Sequence, residues 1–129
     1  MTHVILEFSL QQYIKQRNQE WMIMMDGSSD WHSPPIIKGC RPDLYIQSKH
    51  SKITIIGEAK TENDTITSRS KNQIGKFIDY LICREGQSVL ILCVALNQVN
   101  NARNLVKSDE LDKKKITVHL IDRSKYDHA

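Results

Sequence analysis

Apolar positions recur at helical spacing near the start of the chain. Leu6, Leu10, Tyr13 and Ile14 share one side of a stretch from Val4 to about Arg17, which predicts an amphipathic helix. Trp21-Met22-Ile23-Met24-Met25 is a short apolar run closed by Asp26-Gly27-Ser28-Ser29-Asp30 and reads as a buried strand followed by a loop. Pro34-Pro35 cannot lie inside a central strand or a helix, so Ser33 to Gly39 is a connection. Asp43 to Gln47 and Lys52 to Lys60 are strand-like and flank the polar Ser48-Lys49-His50-Ser51, which predicts a β-hairpin.

A polar loop from Thr61 to Thr67 follows. Ile74, Phe77, Ile78, Leu81 and Ile82 then mark the buried face of a second helix, which Glu85-Gly86 stops. Ser88 to Ala95 is apolar without a break after its first residue, as expected of a strand covered on both faces. A further helix over Val99 to Asp112 and a last strand over Ile116 to Ile121 complete the chain. The order predicts one α/β domain over residues 1–129, a central mixed β-sheet flanked by helices.

Composition narrows the class. With 40% hydrophobic and 26% charged residues the chain is globular rather than disordered. Its longest apolar run, Val89 to Leu96, is too short to cross a bilayer. Met1-Thr2-His3-Val4 is no basic leader and Glu7 interrupts any apolar signal core, so a soluble cytoplasmic protein with no membrane partner is expected. Cys40, Cys83 and Cys93 form no C-x-x-C pair and read as reduced thiols. His3, His32, His50, His119 and His128 show no metal-ligand spacing. The formal net charge is +3, made up of −2 over residues 1–37, +3 over 38–86 and +2 over 87–129. The basic middle segment suits a polyanionic partner.

That middle segment also carries the candidate chemistry. Side chains alternate along a strand, so Glu58 and Lys60 share one face of theirs, with Ala59 opposite. If the hairpin pairs as expected, Asp43 lies across from that end. Two carboxylates then converge beside one ammonium. Hard carboxylate oxygens suit Mg²⁺, which keeps several waters and takes a substrate phosphate oxygen. A lysine beside such a water orients it or holds the phosphate as a point charge, and the Ala59 carbonyl is a further candidate ligand.

In these residues the chain resembles the PD-(D/E)xK nuclease superfamily. Pro42-Asp43 matches the first half of the signature and Glu58-Ala59-Lys60 the second, with a hairpin between them. The longer pattern, Gly39-Cys40-Arg41-Pro42-Asp43-Leu44-Tyr45-Ile46, then Ile56-Gly57-Glu58-Ala59-Lys60 and Gln73, is similar to the virus-type replication–repair nuclease branch (VRR-NUC) and to Holliday-junction resolvases. The resemblance spans Glu7 to about Ala95, although its specific residues are few.

The resemblance implies a restriction-endonuclease-like core. Asp43, Glu58 and the Ala59 carbonyl would be ligands to Mg²⁺, for which Mn²⁺ substitutes. Lys60 would activate the water, Gln73 would assist from the second helix, and Glu7 would complete the metal site from the first. The chain departs from the branch at Arg41 and in its Thr61 to Thr67 loop, which leaves substrate preference open.

Blander readings stand beside these. Glu58 and Lys60 taken alone would be a solvated ion pair. Ser70-Lys71-Asn72-Gln73 fits a helix capping box, and Glu7 fits a solvent-facing helix position. Arg41 before the hairpin and Arg69, Lys71, Lys76 and Arg84 along the second helix are candidate phosphate contacts, though basic residues on a helix are usually its wet face. Trp31, if exposed, offers a surface for a base. The expected function is a metal-dependent DNA endonuclease, structure-specific or relying on a homodimer or a partner subunit for recognition. The alternatives are a catalytically inactive nucleic-acid-binding subunit of a restriction, transposition or defence complex, and an interaction protein whose strand-end charges are incidental.

Overall fold

The computed structural model describes residues 2–15, 20–27, 29–49, 53–60, 68–108 and 116–122. Helix α1 (Thr2–Ser9) runs into a π-helical turn, Leu10–Ile14, and is followed by strands β1 (Trp21–Met25), β2 (Leu44–Ser48) and β3 (Ile53–Ala59). Helix α2 (Ser68–Ile82), strand β4 (Gln87–Val94), a 3₁₀ turn (Leu96–Gln98), helix α3 (Val99–Ser108) and strand β5 (Ile116–Asp122) complete the described order. The predicted loop Thr61 to Thr67 and Lys113 to Lys115 lie outside the described residues, as do His50 and Ser51 of the hairpin turn, Arg17 at the end of the first predicted helix, and His128.

The strands form a single mixed sheet in sequence order, β1-β2-β3-β4-β5. The first three are antiparallel, and β4 and β5 run parallel to β3. Helix α1 packs on one face, where Ile5 and Leu6 meet Leu44, Ile46, Ile53, Ile55, Val89 and Ile91. Helix α2 covers the other with Ile74, Phe77, Ile78 and Leu81 over Tyr45, Ile56, Leu90 and Leu92, and α3 adds Val106. From Ser88 to Val94, β4 is buried throughout, as its unbroken apolar run predicts. Among the described residues, no helix is long and apolar enough to cross a membrane.

Two local expectations change. The first helix does not continue as a regular α-helix to Arg17: it gives way to the π turn after Ser9, whose buried hydroxyl donates to the Ile5 carbonyl at 2.9 Å. A side chain bonded to the carbonyl four residues back competes with the helical ladder and bends it. The turn is anchored by Tyr13, whose hydroxyl meets His119 Nε2 on β5 at 2.6 Å. The second change concerns β1, a partly exposed edge strand with Met22 50% accessible rather than a buried one. It is short, and a backbone hydrogen bond from Met25 N to His32 O covers part of its outer edge.

The close approach of α1 to β3 depends on Gly57. A methyl group added there would lie 2.6 Å from Ile5 Cγ2 and 3.2 Å from Leu44 Cβ, neither of them a flexible chain end. The helix would have to move off the sheet. Gly57→Ala should destabilise the fold by about 1–3 kcal/mol, the usual range for overpacking a core, and urea unfolding will measure it.

Candidate active site

The hairpin register brings the signature residues together. Leu44 pairs with Gly57, so one pair further along the same ladder Asp43 faces Glu58. Both side chains project on the α2 face, the face of Tyr45 and Ile56. Buried Pro42 precedes Asp43, and the Asp43 carbonyl accepts the Asp26 N–H at 2.9 Å. The main chain at Asp43 is thus held just outside β2.

Asp43 Oδ2 accepts the Ala59 N–H at 2.7 Å, which commits one carboxylate oxygen to β3. A strand residue's N–H and C=O point the same way, so the Ala59 carbonyl also faces the Asp43 side. Glu58 is only 5% exposed, and its Oε2 has no hydrogen-bond partner. Lys60 Nζ lies 3.8 Å from Glu58 Oε1 and donates to Gln73 Oε1 at 2.8 Å. The Lys60 main chain is fixed too, its N–H reaching Cys93 O on β4 at 2.9 Å.

Two of the blander readings fall on this geometry. The Glu58 and Lys60 side chains are 6% and 13% exposed, so they are no solvated surface pair. Ser70 is the third residue of α2, not its cap, and the Gln73 side chain is engaged by Lys60 rather than by the helix start.

Burial is the dominant influence on both acids. It raises the Glu58 pKa to about 8, helped by the negative charge of Asp43 and opposed by Lys60. Asp43 is also raised, by burial first, against the hydrogen bonds from Ala59 and Glu58 and the charge of Lys60. An unpartnered buried oxygen costs about 1–3 kcal/mol, and a buried charge costs more unless something compensates it. The donor set therefore suits a hard divalent cation: one Asp43 oxygen, the orphaned Glu58 oxygen and the Ala59 carbonyl.

The remaining candidates are distributed unevenly. Arg41 is exposed two residues before Asp43, while Arg69 and Lys71 are exposed in the first turn of α2, within a turn of Gln73. Lys76 is half-buried one turn further on. The positive charge shown acting on both acids is that of Lys60. Glu7 does not join them: it is exposed on α1, across the sheet from Glu58, beside a shallow hollow of about 270 Å³ lined by His3, Val4, Phe8 and Gln11. Trp31 is 39% exposed in the loop beside β1.

The residue that sequence reading missed is Asp26, whose charge acts on Asp43. Its only sequence signal, an acid directly after an apolar run, is shared by many loop residues. Compared with protein-family models, curated proteins and solved structures, the chain matches none.

The raised Glu58 pKa has a defined consequence for stability. An acid whose pKa is higher in the folded than in the unfolded protein holds its proton more tightly when folded, so it destabilises the fold progressively as pH rises from the unfolded value near 4.5 through about 8. Without divalent metal, Glu58→Gln should melt above the wild type at pH 9, and the difference should shrink towards zero at pH 5. Thermal unfolding across that range is the measurement.

Proposed function

We propose that this protein is a metal-dependent nuclease that hydrolyses DNA phosphodiester bonds, built on a restriction-endonuclease-like core. The observation that carries this reading is the buried Glu58 carboxylate with an unpartnered oxygen, set across from Asp43 and beside a lysine that Gln73 holds in place. A buried carboxylate with an unpartnered oxygen weakens a fold, and convergent carboxylates repel phosphate. Both features become useful together when a divalent cation sits between the acids and the substrate.

In this mechanism Asp43, Glu58 and the Ala59 carbonyl would hold Mg²⁺ or Mn²⁺. Bound there, the cation would lower the pKa of its water and stabilise charge on the scissile phosphate. Lys60 orients that water and holds the phosphate as a point charge. Gln73 accepts from Nζ at 2.8 Å, which keeps the ammonium from closing on Glu58, 3.8 Å away. Arg41, Arg69, Lys71 and Lys76 position the nucleic-acid backbone. Attack by water leaves no covalent intermediate on the protein. Recognition of a sequence or a branch would come from a second copy of the chain, which would place one centre on each strand, or from a partner subunit.

The test is cleavage of supercoiled plasmid, linear duplex, single strands, RNA, a flap and a four-way junction, each with Mg²⁺, Mn²⁺ or EDTA. Wild type should cut DNA only with metal, and Asp43→Ala should lose both cutting and metal binding. Metal binding that Asp43→Ala leaves intact would sink the assignment. Lys60→Ala should keep metal binding while cutting falls by about 10²–10³-fold, the scale for removing one aimed donor. A Lys60→Ala protein that cuts at the wild-type rate would remove that residue from the mechanism.

A further inference from the structure

The sheet lines up three acids, not two. Asp26 donates its N–H to the Asp43 carbonyl at 2.9 Å, which carries the β1–β2 register one pair past Met25 and Leu44. Asp43 faces Glu58 by the same continuation on β2 and β3. Met24, Tyr45 and Ile56, each two residues along its strand from one of the acids, all belong to the α2-side core. Strict alternation then puts Asp26, Asp43 and Glu58 on one face, in one row across three strands. Neighbouring strands are about 4.8 Å apart, so the row spans roughly 10 Å. Exposure rises along it, from buried Glu58 through half-buried Asp43 to exposed Asp26. The Asp26 carboxylate is close enough for its charge to act on Asp43.

Asp26 is also firmly placed. The residue before it, Met25, donates to His32 O at 2.9 Å, and Gly27 turns the chain immediately afterwards with φ 73°. A side chain disfavours that left-handed conformation, whereas glycine adopts it freely.

A row of acids alone would be an ordinary solvated sheet end. The independent observation lies at its inner end, where the buried Glu58 leaves one carboxylate oxygen without a hydrogen-bond partner. Among the described residues, no three His, Cys, Asp or Glu side chains are grouped closely enough to ligate one ion directly. A third acid therefore has to act at longer range, and hydrated Mg²⁺ keeps several of its waters for such contacts. A carboxylate hydrogen-bonded to a metal-bound water orients it and strengthens binding.

We infer that Asp26 is the third acid of the metal centre, acting on the cation through an intervening water and taking the place that the family resemblance offers to Glu7. The inference rests on the metal-dependent reading above. It makes Asp26 a positioning residue, at the solvent side of the centre where substrate and water enter.

The deciding experiment is a Mn²⁺ titration of the whole protein without DNA, followed by the electron paramagnetic resonance of free Mn²⁺. It would compare wild type with Asp26→Asn, Asp26→Glu and Glu7→Gln, each also melted without metal. Asp26→Asn should bind Mn²⁺ about tenfold more weakly, the lower end of the range for losing such a partner, with its metal-free melting unchanged. Asp26→Glu should recover most of the affinity, a rescue that a merely structural role would not produce. Glu7→Gln should bind like wild type. Wild-type affinity in Asp26→Asn would overturn the Asp26 assignment alone and leave the nuclease reading standing. A loss in Glu7→Gln instead would hand the role to Glu7. A wild type that binds no Mn²⁺ would overturn both.

Discussion

A slip of one residue between β2 and β3 would turn Asp43 to the α1 face and separate it from Glu58. Side chains alternate with period two, so register decides face as well as neighbour. Two features hold it. Ser48 Oγ accepts the Ile53 N–H at 2.8 Å where the hairpin closes, and Leu44, Tyr45 and Ile46 are each committed to a buried layer on their own side. The same alternation puts Glu58 and Lys60 beneath α2, where Gln73 is within reach. The candidate site is thus a consequence of strand pairing.

Register brings the charges together, and burial gives them their character. Placing Glu58 at the end of an apolar strand removes water from a carboxylate, and the charge of Lys60 and a hydrogen bond from the Asp43 backbone only partly oppose the resulting preference for the protonated form. The cluster is consequently under electrostatic tension, with two acids raised and one oxygen unpartnered. Strain of this kind concentrates at functional sites, where a ligand relieves what the fold cannot. Among the other described residues, Trp21 Nε1 is also buried without a hydrogen-bond partner. Other buried polar groups include Ser9, Ser48 and Ser88, each of which makes a local hydrogen bond that closes a turn or packs an element end.

The elements were largely legible in the chain because their signals are local. The unbroken apolar run of β4, the helical spacing from Ile74 to Ile82 and the stop at Glu85-Gly86 each reflect one element and its own burial. The regular first helix was overestimated because its apolar spacing continues past Ser9, while the hydroxyl that interrupts it acts through a backbone carbonyl. β1 looked buried because its residues are apolar, yet exposure at a sheet edge depends on what lies alongside.

What the sequence determined by itself was the set of elements, their α/β order and the alternation that puts Glu58 and Lys60 on one face, all products of local periodicity. Asp43 could be placed opposite them as well, since the hairpin joining the strands is short. Only the tertiary structure decided that Glu58 is buried with an oxygen unpartnered, that Gln73 serves Lys60 rather than its own helix, that Glu7 stands across the sheet, and that Asp26 joins the row. Each of these depends on which strands and helices become neighbours after folding. Residues far apart in the chain meet there by packing, which no local pattern encodes.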